Sequence, residues 1–235
     1  MIQIESLDNS GKFQGYLAAP AGKGGPGVLV IQEIFGVNAG MRALCDDLAQ
    51  QGYFALCPDL FWRQQPGVQL TDKTDDEWQR AFALYQGFDV DKGVNDLMAA
   101  MGALRKLAGC SGVVGAVGYC LGGKLAYLMA TRTDVDAAIS YYGVGLEDML
   151  DEMPEIRRPL LMHIAAEDKF VTKEAQQKIL AAAARNPHVV AHVYAGVDHA
   201  FARPGGQNFQ AEAAQLAHAR SAQFLAAHLK KGGAH

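Results

Sequence analysis

The sequence predicts an α/β fold: a mostly parallel, doubly wound sheet with helices on both faces. Three observations support this fold class. Val28–Ile31 is a β-branched run without polar alternation, which is typical of a strand buried on both faces. Strand-like and helix-like segments alternate along the chain. At residues 112–130, a valine-rich run, a glycine-flanked turn and a helix-forming run follow one another directly.

The predicted strands are short apolar runs bounded by glycine, proline or polar residues. The first alternates large and small residues and stops before Pro20, and the third stops before Pro58. In chain order, the predicted strands are residues 13–18, 28–31, 53–57, 112–117, 137–142, 159–164 and 189–194.

The predicted helices follow from amphipathic spacing and from capping residues. Asn38 is a natural N-cap for the first helix, and the acidic run Asp75–Glu77 suits the first turn of the second. In chain order, the predicted helices are residues 38–51, 75–85, 89–106, 124–130, 173–185 and 212–229. Residues 60–74 are predicted to form a long polar connection.

Length, charge and the N-terminal sequence narrow the class of protein. The 235 residues suit one α/β domain of generous size, predicted over residues 1–235. The net charge of −4 gives no reason to expect nucleic-acid or anionic-membrane binding. Met1–Lys12 lacks a basic start followed by an apolar core, and no apolar run approaches the ~20 residues of a membrane helix. We expect a cytoplasmic monomer that binds neither nucleic acid nor membrane.

The four cysteines are expected to be free thiols. Cys45, Cys57, Cys110 and Cys120 form no Cys-x-x-Cys pair, and no histidine stands at zinc-finger spacing. Cys45 and Cys57 are predicted to lie in the core, and Cys110 in a loop before a strand. No structural metal is expected.

Residues 118–123, Gly-Tyr-Cys-Leu-Gly-Gly, have the spacing of a nucleophile elbow with Cys120 as the nucleophile. Such a strained turn needs residues nearly without side chains two positions before and after the nucleophile. The turn would expose the sulfur and place the Leu121 N–H at a helix N-terminus, where partial positive charge favours a thiolate and a developing oxyanion. The alternative is a buried free cysteine that matches this short pattern by chance.

A cysteine nucleophile needs a base, and the base needs an acceptor that orients it. In the chain order of the elbow enzymes, the acid follows the nucleophile and the histidine comes last. Asp168 follows a strand and is preferred over its neighbour Glu167, whose side chain should point the other way. Of seven histidines, only His199 lies in a loop just past a strand end. Asp168 could instead cap the following helix, and Asp198 is a rival orienter, although adjacent residues rarely face each other.

Several stretches together carry a resemblance to a known family. The most specific is the cysteine elbow; the others are Gln32–Gly36, Cys57–Leu60, Tyr141–Gly145, Asp168–Val171 and His199–Arg203. Over nearly its whole length the sequence resembles the dienelactone hydrolases, α/β-hydrolase-fold enzymes also called carboxymethylenebutenolidases. The resemblance implies hydrolysis of a dienelactone to maleylacetate in the degradation of chloroaromatic compounds. It implies no metal or organic cofactor, and its expected partner is a small lactone or ester.

The resemblance also implies roles near the nucleophile. In the family, the glutamate matching Glu33 contacts the resting thiol and helps to form the thiolate when substrate arrives. The backbone N–H groups of Ile34 and Leu121 would form the oxyanion hole, which matches the usual two-donor geometry. Cys120 would then attack the lactone carbonyl, and His199, oriented by Asp168, would activate water to hydrolyse the thioester.

The sequence departs from the family at the substrate carboxylate. Members hold that carboxylate with two arginines, of which Arg203 matches one, whereas Trp78 occupies the place of the other. Arg80 lies about 200° around the helix and would not substitute. Trp78 offers an apolar wall or simply packs, and an apolar wall favours another ester, lactone or thioester. The remaining expected pocket residues, each of which could instead be core, are Tyr85, Phe35 and Tyr142.

Overall fold

The computed structural model describes residues 1–22 and 24–230. Across these residues, eight strands form one sheet in the order β1-β2-β4-β3-β5-β6-β7-β8. The strands are β1 (Ile2–Glu5), β2 (Lys12–Ala18), β3 (Gly25–Ile31), β4 (Phe54–Pro58), β5 (Cys110–Tyr119), β6 (Ala137–Tyr141), β7 (Leu160–Ala165) and β8 (Val189–Tyr194).

Six α-helices and two short 3₁₀ helices accompany the strands within the described ranges. The α-helices are α1 (Ala39–Gln50), α2 (Asp75–Gln86), α3 (Val90–Arg105), α4 (Leu121–Arg132), α5 (Lys173–Ala183) and α6 (Ala211–Leu229). The 3₁₀ helices are Leu146–Asp148 and Leu150–Glu155. No helix in these ranges has both the length and the apolar character that a membrane span requires.

The mostly parallel sheet confirms the predicted fold class. The pairs β3–β4, β6–β7 and β7–β8 are parallel, whereas β1–β2 and β2–β4 are antiparallel. Every residue of β4, β6 and β7 is buried, as continuous apolar runs in parallel strands require. Asn38 caps α1 and Thr74 caps α2, each by accepting a hydrogen bond from a backbone N–H in the first turn.

Some predicted boundaries were wrong. The strand β1 was missed because Ile2–Glu5 is short and half polar, and its pairing with β2 provides the support that its own sequence lacks. Cys110 is the first residue of β5 and does not lie in a loop. The two 3₁₀ helices were missed, and α5 ends at Ala183, two residues before the predicted end.

The chain divides into two compact units, the first ending at Ala116 and the second beginning at Val117. In the first unit, Cys45 of α1 and Cys57 of β4 are fully buried, which confirms their predicted core position. Hydrogen bonding to Cys45, together with burial, holds the pKa of the Cys57 thiol well above its ordinary value. The prediction of a single domain over residues 1–235 stays a prediction.

The core of the second unit contains a polar network. The His163 ring bonds to the Tyr194 hydroxyl at 2.8 Å and to the Ser221 hydroxyl at 2.9 Å, and Ser221 bonds to the Tyr141 hydroxyl at 2.7 Å. Burial lowers the pKa of His163 to about 3, so this imidazole is neutral. Because both of its nitrogens are engaged, His163 serves the core and not a surface site.

Candidate active site

The turn between β5 and α4 has the geometry of a nucleophile elbow. Cys120 adopts φ 57° and ψ −114°, a conformation that L-residues rarely take. A side chain at Gly118 would place its Cβ only 1.8 Å from the Gly122 carbonyl oxygen. At Gly123 a Cβ would stand 2.5 Å from the Tyr141 carbonyl oxygen. The glycines are therefore required by contact between backbone segments.

Backbone hydrogen bonds hold the strained cysteine. The Cys120 N–H donates to the Tyr141 carbonyl at 3.0 Å, and the Cys120 carbonyl accepts from the Lys124 N–H at 3.1 Å. The Cys120 side chain occupies the N-cap position of α4 but makes no capping hydrogen bond there. Leu121 is the first residue of α4, so its N–H lies at the positive end of the helix dipole.

Asp168 and His199 meet after β7 and β8. The Asp168 carboxylate accepts two backbone N–H bonds through Oδ1, from Phe170 at 2.8 Å and Val171 at 3.2 Å. Its Oδ2 lies 2.9 Å from His199 Nδ1. Asp168 therefore both caps a turn and orients an imidazole, two roles that the sequence presents as alternatives.

The two competing acids are engaged elsewhere. Glu167 pairs with Lys173 at 2.9 Å on the surface. The Oδ1 of Asp198 accepts hydrogen bonds from the backbone N–H groups of Lys169 and His199 and does not contact the imidazole. The structure thus pairs Asp168, and neither neighbouring carboxylate, with the histidine ring.

The His199 ring is buried, with 4% of the residue exposed, and packs between aromatic edges. Tyr142 lies 5.0 Å away and Phe170 4.9 Å away, measured between ring centroids. Its Nε2 has no hydrogen-bond partner of ordinary geometry within the described residues, but the ring interacts electrostatically with the Cys120 side chain. The Cys120 side chain and the His199 imidazole are therefore neighbours that interact.

The electrostatics of this group favour a charged imidazole. Burial alone lowers the pKa of His199, but the attraction to Cys120 and the bond to Asp168 outweigh it and raise the pKa to about 10. The charge of a buried imidazolium is thus compensated by the Cys120 and Asp168 side chains.

The predicted site residues of the first unit lie at the end of β3 and on α2. Glu33 follows β3 and is 3% exposed; the Gln32 side chain donates to the Glu33 carbonyl and accepts from the Leu60 N–H. Ile34 and Phe35 are buried. The chain turns at Gly36, where φ is 76°. Only glycine fits this position, because a Cβ there would lie 2.0 Å from the Val68 carbonyl oxygen.

Trp78 is packed and hydrogen-bonded. Its indole meets Phe35 edge-on at 5.0 Å and stacks on Phe82 at 5.4 Å, and its Nε1 donates to the Asp72 carbonyl at 3.2 Å. Tyr85 is half-buried on the same helix, while Arg80 is exposed. Trp78 is therefore part of an aromatic cluster.

The second unit contains two more of the predicted substrate-binding residues, Arg203 and Tyr142. Arg203 is half-buried, and its N–H donates to the carbonyl of Ala200, a residue with φ 62°. Tyr142 is buried, has φ 37° and donates its N–H to the His163 carbonyl. Sequence reasoning missed Phe170 as a neighbour of His199, although it lies within the matching stretch 168–171.

Comparison with known proteins identifies the family. Residues 13–229 match the model of the dienelactone hydrolase family. A carboxymethylenebutenolidase of Pseudomonas putida is 43% identical over 225 residues, which cover 96% of this chain and 95% of the relative. The chain belongs to the dienelactone hydrolase family. A relative from Azospirillum brasilense, whose name gives the same activity provisionally, is 55% identical over 97% of this chain and 98% of its own.

A solved structure supports the fold of this dienelactone hydrolase family member. A crystal structure from Klebsiella pneumoniae, described provisionally as a dienelactone hydrolase, has a TM-score of 0.82 at 27% identity. The match covers 96% of this chain and 98% of that one. These findings confirm the predicted α/β-hydrolase fold and the prediction of a hydrolase of the carboxymethylenebutenolidase type.

The close approach at the elbow predicts the effect of a single methyl group. Gly118→Ala is expected to destabilise the protein by about 2 kcal/mol or more, because its Cβ overlaps the Gly122 carbonyl. Gly102→Ala is the matched control: it lies in α3 with no atom within 4 Å of a built Cβ, so it should leave stability unchanged or raise it. Chemical denaturation measures both, and equal stability of the two variants would contradict the close approach.

The raised pKa of His199 predicts a titration that depends on Cys120. Because the folded-state pKa of about 10 lies above the ordinary 6.5, the stabilisation from His199 is complete below about pH 6.5 and is lost as pH rises through about 10. NMR titration of the imidazole should show this pKa, and Cys120→Ser should lower it because serine does not ionise. Cys110→Ala should leave it unchanged. An identical pKa in the Cys120→Ser variant would refute the sulfur's contribution.

Proposed function

We propose that this hydrolase opens a dienelactone to maleylacetate, within the degradation of chloroaromatic compounds, through a triad of Cys120, His199 and Asp168. One observation carries the proposal: His199 Nδ1 lies 2.9 Å from Asp168 Oδ2 on a ring that interacts with the side chain at the elbow. The contacts thus run from the nucleophile Cys120 to the base His199 and from His199 to the orienting acid Asp168, as cysteine catalysis requires. Relatives that are carboxymethylenebutenolidases by name support the substrate class.

In the first half of the proposed reaction, the Cys120 thiolate attacks the lactone carbonyl. A C–S bond forms, the ring C–O bond breaks, and the electron pair leaves on the enolate oxygen. Conjugation stabilises this leaving group, so it departs without full proton donation. The Leu121 N–H at the start of α4 is one donor for the developing oxyanion, and we assign the second to the Ile34 N–H.

In the second half, water cleaves the thioester. Acylation removes the negative charge of the sulfur, and with it one of the interactions that raise the His199 pKa. The imidazolium, still held by Asp168, passes its proton to the enolate of the acyl group and can then accept a proton from the attacking water. The C–S bond breaks, maleylacetate leaves, and the thiolate is regenerated beside the imidazolium.

Glu33 completes the proposed machinery. As the family resemblance implies, we assign it to contact the resting Cys120 thiol and to accept its proton when substrate arrives, which forms the attacking thiolate; the regenerated thiolate takes this proton back at the end of the cycle. Two observations support this role. Glu33 is only 3% exposed and follows the end of a buried parallel strand, and its backbone carbonyl accepts a hydrogen bond from the Gln32 side chain. Strand ends of this kind are where α/β sheets place their chemistry.

A second candidate function keeps the cysteine hydrolase but changes the substrate to another ester, lactone or thioester. The observation that favours it is Trp78, an indole packed against Phe35 and Phe82 where the family has a cation. An aromatic surface suits a bulkier or less acidic acyl group. We assign substrate contacts to Arg203, Tyr142, Tyr85, Phe35 and Trp78. A cytoplasmic location, a monomeric state and independence of cofactors stay predictions.

The nucleophile is tested by removing its sulfur. Cys120→Ala should reduce turnover of dienelactone to background while the protein stays folded, because only the attacking atom is lost. His199→Asn should slow thioester hydrolysis, so that mass spectrometry finds the acyl group on the peptide containing Cys120. Cys110→Ala, which removes a half-buried thiol, is the matched control and should keep full activity. Retained turnover in Cys120→Ala, or acylation of Cys110, would reject the assignment.

The substrate class is tested at Arg203. Arg203→Gln should lower kcat/KM for dienelactone by about 10- to 150-fold, the equivalent of roughly 1.5–3 kcal/mol for a charged hydrogen bond. It should leave an uncharged aryl ester unaffected. The exposed Arg80→Gln is the control and should change neither substrate. Equal effects of Arg203→Gln on both substrates would favour the second candidate function.

A further inference from the structure

Two loops carry the acid and the base of the site. Asp168 lies in the loop after β7, and His199 lies in the loop after β8. The distance between their side chains therefore depends on how these two loops are held together. Part of this support is backbone pairing, since the Ala166 N–H donates to Tyr194 and the Glu167 N–H donates to Val197, both at 2.9 Å.

Beyond this pairing, one carboxylate bridges the loops. Asp198 Oδ1 accepts from the Lys169 N–H at 3.0 Å and from the His199 N–H at 2.7 Å. Its Oδ2 accepts from Lys169 Nζ at 2.8 Å. Asp168 contacts His199 and Lys169 contacts Asp198, so consecutive residues of the two loops form two adjacent cross-links.

The inner bonds of this bridge matter more than its ion pair. The Asp198 side chain is 18% exposed, whereas that of Lys169 is 78% exposed, so solvent screens the ammonium. Both backbone N–H bonds are charge-assisted, and the one from His199 is partly buried. Burial alone would raise the pKa of Asp198, but the bonds from Lys169 and His199 outweigh it and lower the pKa, so the carboxylate stays ionised.

The backbone of His199 is consequently held on both sides. Its N–H donates to Asp198, and its carbonyl accepts from Asn208 Nδ2 at 2.9 Å. Ala200 follows at φ 62°, a conformation that must be supported by its surroundings. With both ends of the residue held, the imidazole has little freedom except rotation about its own side-chain bonds.

We propose that Asp198 is a positioning residue for the hydrolysis: its carboxylate joins the two loops and thereby sets the His199 imidazole against Asp168. This inference rests on the proposed function, because the position of the His199 imidazole affects turnover only if His199 is the base of the triad. Asp198 acts through other groups, since its hydrogen bonds are to the backbone N–H groups of Lys169 and His199 and to the Lys169 ammonium, whereas the His199 ring is bonded to Asp168.

The test compares variants of the two loops in the full-length enzyme. Asp198→Ala should lower kcat for dienelactone by about 10- to 100-fold with KM nearly unchanged, because misplacement of a base by a fraction of an ångström affects the chemical step. Asp198→Asn keeps an oxygen that accepts the two N–H bonds, so it should recover most of kcat. Lys169→Met removes only the exposed ion pair and should keep more than half of kcat.

A second readout does not depend on turnover. The NMR signal of the His199 Nδ1 proton, which reports the bond to Asp168, should broaden or vanish in Asp198→Ala and persist in Asp198→Asn. Glu167→Gln is the matched control: it alters the neighbouring exposed pair with Lys173 and should change neither readout.

The outcomes separate the two proposals. If the wild type does not hydrolyse dienelactone, the proposed substrate fails, and the Nδ1 signal still decides the role of Asp198. If Asp198→Ala is folded and keeps both the Nδ1 signal and kcat, the positioning role is overturned. An equal loss in Glu167→Gln would also overturn it, because the effect would then belong to the loop in general.

Discussion

The backbone turn at Cys120 is the constraint on which the site depends. A non-glycine residue at φ 57° is costly, and the turn persists because strand, helix and neighbouring strand meet it as backbone against backbone. The Cys120 N–H is bonded to Tyr141, so β6 supports the strained residue from outside the turn. The result is a sulfur presented at a helix N-terminus without a capping bond of its own.

A second feature of the site is that the charge of the buried His199 imidazolium is compensated by its neighbours. His199 is buried, yet its pKa is raised, because the Cys120 side chain and the Asp168 carboxylate both interact with the ring. In the proposed reaction, acylation of the sulfur removes the first of these interactions and leaves the second. Under that proposal, the same imidazole stabilises a thiolate before acylation and accepts a proton after it.

Three neighbouring carboxylates show how position separates roles. Glu167 is exposed and pairs with a lysine, Asp168 holds the imidazole, and Asp198 holds backbone N–H groups of both loops. Their chemistry is the same, but the number and kind of donors around each differ. Burial then determines how strongly each carboxylate is held, since a charge-assisted hydrogen bond shielded from water is stronger than an exposed ion pair.

The sequence by itself determined the alternation of strands and helices, the elbow at Cys120, and the chain order that singles out Asp168 and His199, because these depend on local spacing and strand ends. It missed β1, whose short half-polar sequence is stabilised only by pairing with β2. It also left Asp198 as a rival to Asp168 and left the neighbours of Trp78 open. Only the tertiary structure shows that Asp168 contacts the His199 ring and that Trp78 packs against aromatic side chains, because such partners come from segments distant in sequence, and no local pattern specifies them.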